Sequence, residues 1–367
     1  MSCFGQGGNS RSGEKRMDFE KYNPPSTLIV PENIVTRAKY PFIDVHNHQY
    51  GMPDQDLDEL IEEMDKLNMA VMVNLSGRGF RRVAGNFDVQ GTDYLKRAVQ
   101  NAERTASNRF IVFTNISFEG IGSSGWEEKA VRELEEDVKN GANGLKIYKS
   151  LGLSVRDTKG KRVAVNDPRL DPIWAKCGEL GIPVLIHSAD PKPFWQPHDE
   201  NNERWLELKL RPRRKRSDTN PAPWEQIIQE QHNMFRKHSK TKFINAHMGW
   251  FANDLQKLGE LLDAMPNMYV EIGAIIAELG RQPRNAKKFL TKYQNRVLFG
   301  KDSWNPDEYH TYFRVLETDD EYFPYYKKYH AYWKMYGLDL SDEVLKKIYY
   351  KNALKVIPNI DASAFPK

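Results

Sequence analysis

Cysteine is nearly absent: Cys3 and Cys177 are the two in 367 residues, too few for a disulfide framework. Cys177 falls in a helical pattern over 172–180, where a small buried thiol is expected and no catalytic role is assigned. Long apolar runs are absent as well. No stretch approaches the ~20 residues needed to cross a bilayer, and the first residues hold no apolar segment of the signal-peptide type. A large excess of one charge is also missing. The net charge is +4, much of it from the single run 211–216, so nucleic acid is not the expected partner. With 40% hydrophobic and 28% charged residues, the composition is that of an ordinary globular chain, not a disordered or membrane one.

Cys3 is followed by a Gly/Ser-rich stretch over 4–13, the pattern of a lipidated cysteine on a flexible tether. The expectation is a cytoplasmic protein by default, with export and lipid anchoring through Cys3 as the alternative. Residues 1–40 are polar and punctuated by Pro24, Pro25 and Pro31. They read as a tether and surface wrap preceding a single domain over 41–367.

From residue 42 the pattern becomes regular. Short apolar, β-branched runs occupy 42–46, 70–75, 110–116, 144–148, 183–187, 242–247, 267–272 and 296–299, which are candidate strands. Between them lie helical patterns, such as 57–67, 94–104, 126–139, 171–180, 223–238 and 255–265. Continuously apolar strands alternating with helices specify a parallel sheet covered on both faces. Eight repeats fit a closed α/β barrel of the TIM type, (β/α)8. The segment 188–222, after the fifth strand, is rich in Pro, Trp and Arg and lacks apolar periodicity. Emerging at the C-terminal face of the barrel, it is expected to be a lid. After the eighth strand comes a C-terminal extension with an aromatic-dense stretch over 309–336, whose rings suit the barrel mouth, a subunit interface or the core. A homo-oligomer stays open on that ground.

The strand ends carry the chemistry. The first run ends Ile43-Asp44-Val45-His46-Asn47-His48, and because side chains alternate along a strand, His46 and His48 face the same way. His187 ends the fifth strand, His247 the sixth, and Asp302 follows the eighth. Any one of these histidines alone reads as a core residue bonded to backbone. Four of them at strand ends on one face of a barrel, beside an aspartate, read as a metal site. Imidazole nitrogen and carboxylate oxygen suit one divalent cation, zinc first and manganese second, with a coordination position left for water. His198, His232, His238, His310 and His330 lie in loops or helices and read as surface residues.

The His-x-His strand, the histidines ending strands five and six, and Phe299-Gly300-Lys301-Asp302-Ser303 together resemble the metal-site signature of the amidohydrolase superfamily, in its amidohydrolase-related branch. The resemblance runs through Gly144-Leu145-Lys146 and Trp224-Glu225 to the helix from Leu340-Ser341-Asp342-Glu343-Val344 to Asn352-Ala353. It implies that His46, His48, His187 and Asp302 bind the metal and that His247 polarises the attacking water or holds the substrate. It also implies that Asp302 moves the proton, as a general acid and base. Binuclear members carry a carbamylated lysine on strand four, and Lys146 matches it. Its early place in Lys146-Ile147-Tyr148-Lys149 sets it below the metal plane and favours one metal.

That branch contains hydrolases of lactones, amides and esters, and decarboxylases of unsaturated or aromatic acids. The expectation is a metal-dependent hydrolase of a small, anionic or cyclic substrate, with non-oxidative decarboxylation as the alternative. Substrate contacts are less determined. Lys149 is either a solvated strand end or a partner for a substrate carboxylate. Arg78 and Arg81 either offer guanidinium groups to an anion or sit in a solvated turn, and Arg204 is a third arginine available from the lid. Glu271 is a pocket carboxylate or the partner of a lysine. The basic run suggests a metal-dependent nuclease, but such enzymes use glutamate on strand four where this chain has Lys146. A non-catalytic binding protein is disfavoured by the intact set of four histidines and one aspartate.

Overall fold

The structure, a computed structural model, describes residues 17–83 and 86–366. Cys3 and the stretch 4–13 lie outside the described residues. The chain forms a TIM-type (β/α)8 barrel. Its parallel strands are β1 (Phe42–Asn47), β2 (Met69–Asn74), β3 (Phe110–Val112, continued by Thr114–Asn115), β4 (Leu145–Ile147), β5 (Val184–Ile186), β6 (Phe243–Asn245), β7 (Met268–Glu271) and β8 (Val297–Leu298). Each pairs with the next in order. β3 is bent at Phe113, whose N–H donates to Asn74 at 2.9 Å while the Thr114 N–H donates to Gly144 at 2.8 Å. The ring returns to its start through two bonds, from Val45 N–H to Phe299 at 3.0 Å and from Asp302 N–H to His46 at 2.7 Å.

These strands are apolar on both faces because both are covered: Phe42, Val73, Leu145, Val184, Phe243 and Leu298 are completely buried. The helices outside show why the sequence pattern was readable. In α1 (Asp58–Leu67), Leu60, Met64 and Leu67 recur at helical spacing and are the buried face. In α2 (Thr92–Ala106), Leu95, Ala98, Val99 and Ala102 do the same. In α3 (Trp126–Lys139), Trp126, Ala130 and Leu134 pack inward, and Asp137 goes with them.

The segment 188–222 contains more order than its lack of periodicity suggests. It carries α4 (Trp205–Leu210) and two 3-10 turns, Lys192–Phe194 and Pro212–Arg214. Arg204 fastens it from inside, donating from Nη1 to Glu207 at 3.0 Å and from Nη2 to Glu278, and lying 4.9 Å over the Trp333 ring. In the run 211–216, Arg214 pairs with Glu207 and Arg216 with Asp190. Beyond β8, the aromatic stretch begins in α5 (Pro306–Glu317), where Tyr309, Tyr312 and Phe313 pack against the barrel, and ends in a short hairpin, Phe323–Pro324 with Lys334–Met335. The segment from residue 17 lies on this surface: Glu20 accepts from Tyr332 at 2.7 Å, and Asn33 donates to Asp320 at 2.8 Å. Among the described residues, no helix is long and apolar enough to cross a membrane.

Candidate active site at the barrel mouth

The strand ends bring five side chains together. His46 Nε2 lies 3.4 Å from Asp302 Oδ1, and His48 Nε2 lies 3.6 Å from the same oxygen. His247 Nε2 is 3.3 Å from His187 Nδ1. The tightest trio differs from the expected ligand set: donor atoms of His46, His247 and Asp302 fall within 4.8 Å of one another. His247 therefore stands close enough to His46 and Asp302 to meet an oxygen held at the cluster. Lys146 is also in the cluster, with Nζ 3.3 Å from His46 Nε2. His46 and His247 are buried and His48 and His187 half-buried, whereas the Asp302 side chain is 37% exposed, so the cluster opens to solvent at the aspartate.

What lies behind the imidazoles sets which nitrogen faces the centre. His46 Nδ1 meets Glu271 Oε1 at 3.0 Å, and His247 Nδ1 donates to the Gly273 carbonyl at 2.7 Å. Both rings are left with Nε2 as a lone-pair donor, the form that binds a cation. Glu271 also accepts the backbone N–H groups of His247 at 2.6 Å and Gly273 at 2.5 Å. This corrects the expectation of a substrate contact: Glu271 is fully buried behind the histidines and orients them. Gly300 is required here, because a Cβ on it would collide with the Glu271 carboxylate. Glu271→Gln is expected to weaken metal affinity by about 10–100-fold, measured by competition with a chromogenic chelator. Unchanged affinity would remove Glu271 from this role.

Burial favours the uncharged imidazole. It pushes His46 down to about 3 and His247 down to about 4, and holds His48 and His187 well below the ordinary value. Burial also lowers Lys146 to about 8, against the pull of Asp302 and Glu271. For Asp302, burial opposes ionisation, but the surrounding imidazoles and Lys146 outweigh it and hold the carboxyl below its ordinary value. Neutral imidazoles beside an ionised carboxylate are the donor chemistry of a divalent cation site. His187 Nε2 adds a specific sign of fit, being buried with no hydrogen-bond partner.

Two histidines expected at the surface are buried too, because distant elements cover them. His232 is pushed down to about 4 and His330, beside Arg204, to about 2. Below the ordinary value near 6.5, the unfolded chain takes up protons that these six folded imidazoles refuse, so stability falls as pH falls. Each contributes up to about 1.4 kcal/mol per pH unit. Asp44, raised to about 6 by burial, and Asp137, Glu271 and Glu317, also raised by burial, act in the opposite direction but are outnumbered. The urea midpoint of metal-free protein is therefore expected to drop steadily from pH 7 to 5. A flat or rising midpoint would contradict neutral burial of these histidines.

Backbone strain marks the same place. Ala189, His247, Met248, Trp250, Ala274 and Asp302 all have positive φ, between 52° and 89°, and all lie within five residues of the ends of β5, β6, β7 or β8. For residues with side chains this conformation costs about 1–3 kcal/mol each, and it clusters at functional sites. Nothing in residue type signalled it.

The remaining expected residues fall into two groups. Lys149 lies at the mouth, with Nζ 2.5 Å from Asp190, its side chain 41% exposed. Arg78 and Arg81 are corrected. The Arg78 side chain is 1% exposed, donating to Asp137 at 2.8 Å and Glu133 at 2.9 Å on α3, so its charge is spent on the barrel wall. Arg81 is held by Asp88 at 2.8 Å and Glu119 at 2.7 Å. Sequence reasoning missed Ser76, whose Oγ meets His48 Nδ1 at 2.7 Å, and Tyr148, whose hydroxyl meets Ser76 Oγ at 2.8 Å. Tyr148 had a usable signal: it is two residues beyond Lys146 and so shares its face.

A family model described as amidohydrolase matches residues 43–358. Comparison with curated proteins gives no match. Among solved structures, an uncharacterised TIM-barrel protein from Bordetella bronchiseptica is 14% identical with a TM-score of 0.53, covering 86% of this chain and 97% of that one. A 4-oxalomesaconate hydratase from Rhodopseudomonas palustris is 15% identical with a TM-score of 0.50, covering 88% and 97%. A 5-carboxyvanillate decarboxylase from Novosphingobium aromaticivorans, complexed with manganese and 4-hydroxy-3-methoxy-5-nitrobenzoic acid, is 14% identical with a TM-score of 0.51, covering 88% and 99%. At these identities the likeness is one of fold.

Proposed function

The chain belongs to the amidohydrolase family, and we propose that it is a mononuclear metal-dependent hydrolase of a small carboxylate-bearing or cyclic substrate, a lactone, amide or ester. The observation that carries this reading is the convergence of His46, His247 and Asp302 within 4.8 Å, at the solvent-open end of the barrel. His46, His48, His187 and Asp302 would hold one divalent cation, zinc by donor chemistry and manganese as the second fit. When bound, the cation supplies Lewis acidity and brings water into nucleophilic form near neutral pH.

Asp302 is the proton carrier: its carboxylate is ionised, exposed toward the mouth, and 3.4 Å from His46. It takes a proton from the attacking water and hands it to the leaving group. His247, anchored at Nδ1 by Gly273, keeps Nε2 toward the reacting oxygen and holds it in line. Lys149 receives a substrate carboxylate. The second reading, decarboxylation of an aromatic or unsaturated acid, is favoured by Lys149 at the mouth as a partner for the acid, and the 5-carboxyvanillate decarboxylase of the same fold is complexed with manganese and an aromatic acid.

A panel of lactones, amides, esters and aromatic acids, tested on metal-loaded protein with parallel chromatographic product analysis and carbon dioxide readings, separates the two. Acid release without carbon dioxide is expected. Carbon dioxide from an aromatic acid would replace hydrolysis by decarboxylation, and turnover of no substrate would count against both.

A further inference from the structure

A cleft of about 430 Å³ opens beside His48, and the metal cluster does not account for its lining. Tyr148 is its inner wall, stacked on the His48 ring at 5.7 Å and fixed by its hydroxyl, which donates to Leu75 at 3.1 Å and bonds Ser76. Phe87 meets Tyr148 edge-on at 5.0 Å, and Phe80 lies 4.4 Å from Phe87. Tyr50 closes the row, 4.1 Å from Phe80 and stacked on His48 at 5.4 Å. Three of these rings stay open to solvent, Tyr50 at 43%, Phe80 at 37% and Phe87 at 38%. A contiguous exposed aromatic row beside a catalytic cluster is a surface built to be covered.

The opposite wall is cationic. Lys149 follows β4, while Lys215 and Arg216 come from the segment 188–222, and among the described residues no carboxylate lines the cleft. Behind the wall, Asp190 accepts from Lys149 at 2.5 Å and from Arg216 Nη2 at 2.9 Å. Among the described residues, Lys215 Nζ meets only His198 Nδ1, at 2.8 Å. Two of the three cations thus share one carboxylate, the third meets none among the described residues, and Arg216 Nε is buried without a hydrogen-bond partner. Charge of this kind, held in place and not neutralised, is suited to an anionic ligand group.

We propose that this cleft is a carboxylate subsite for a planar, aromatic or conjugated substrate. The substrate ring lies against Tyr148 and Phe87, its carboxylate meets Lys149, Lys215 and Arg216, and its reacting group reaches the metal cluster. The enzyme therefore selects acids whose carboxylate is remote from the bond that breaks. Asp190 is a positioning residue for two of the cations. Because Lys215 and Arg216 arrive from the lid, the subsite is complete only when that segment lies over the mouth. The assignment of the reacting end rests on the function proposed above; the subsite itself does not.

Isothermal titration calorimetry on the full chain, chelator-treated and metal-loaded, tests this with isophthalate, the neutral isophthalamide and inorganic phosphate as probes. Isophthalate is expected to bind the chelator-treated protein, to exceed isophthalamide and phosphate, and to weaken by roughly tenfold or more in Lys149→Gln and in Arg216→Gln. Those two variants also unpair Asp190, so Lys215→Gln, which leaves the Asp190 contacts intact, is measured beside them and is expected to weaken binding as well, while Lys149→Arg retains it. Unchanged affinity across the three glutamine variants, equal binding of isophthalamide, or tighter binding of phosphate would overturn the subsite. Isophthalate binding that depends on Lys149, Lys215 and Arg216 but does not change when metal is added would leave the subsite standing and count against the metal-dependent reading.

Discussion

Asp302→Asn is expected to lower kcat by about 10²–10⁴. The substitution is nearly isosteric, and the backbone tolerates it. Asp302 has φ 89°, a left-handed conformation in which asparagine is among the residues most readily accommodated. What changes is chemistry: an amide accepts no proton from water and returns none to a leaving group. The carboxylate is also the negative charge that His46, His48 and Lys146 surround, within 3.4 Å of the first and 3.6 Å of the second. Metal affinity is therefore expected to fall along with the rate, and assays at saturating metal isolate the proton-transfer loss. A kcat within threefold of wild type under those conditions would remove Asp302 from the proton path.

Arg204→Met is expected to destabilise the fold by roughly 3–5 kcal/mol. Arg204 is 4% exposed and stands between two buried carboxylates, Glu207 and Glu278. Methionine fills most of the volume but leaves both acids without their shared cation. Glu207 keeps Arg214 and lies 3.5 Å from His330. Glu278 has no second ion-pair partner among the described residues, and its Oε2 is already unbonded. The cost therefore falls where segment 188–222 meets the short helix Ile276–Gly280 after β7, and urea unfolding monitored by tryptophan fluorescence measures it. Limited proteolysis reports whether the loss is local: early cleavage within 188–222, ahead of global unfolding, is the expected pattern. A variant as stable as wild type would show that the arginine does not hold the segment down.

The fold was legible because its signals are local. Apolar runs such as 183–187 and 242–247 are buried on both faces as β5 and β6, and the spacing of Leu60, Met64 and Leu67 is the inward face of α1. The meeting of His46 with Asp302 was legible for the same reason, since strand ends in a barrel converge. What escaped depends on partners far away in sequence. Arg204 looked like a mouth residue until Glu278, 74 residues on, claimed it. Arg78 was likewise taken by Asp137, 59 residues later. Glu271 reads as a pocket carboxylate until His46 and the backbone N–H of His247 surround it. His232 and His330 read as surface residues because they lie in a helix and a loop, whereas Phe251 stacks on the first and Arg204 bonds the second. The helix Pro283–Lys292 gives a weaker signal, because its buried side, Ala286, Phe289 and Leu290, is short and set among lysines and arginines.

The central claim is that the strand-end histidines and Asp302 hold one divalent metal. Plasma emission spectroscopy on protein purified without chelator, wild type beside the His46→Ala/His48→Ala double variant, tests it most directly. The account predicts about one zinc or manganese per wild-type chain and its loss in the variant. Wild-type protein with no metal after reconstitution, or a double variant that keeps its full complement, would contradict it.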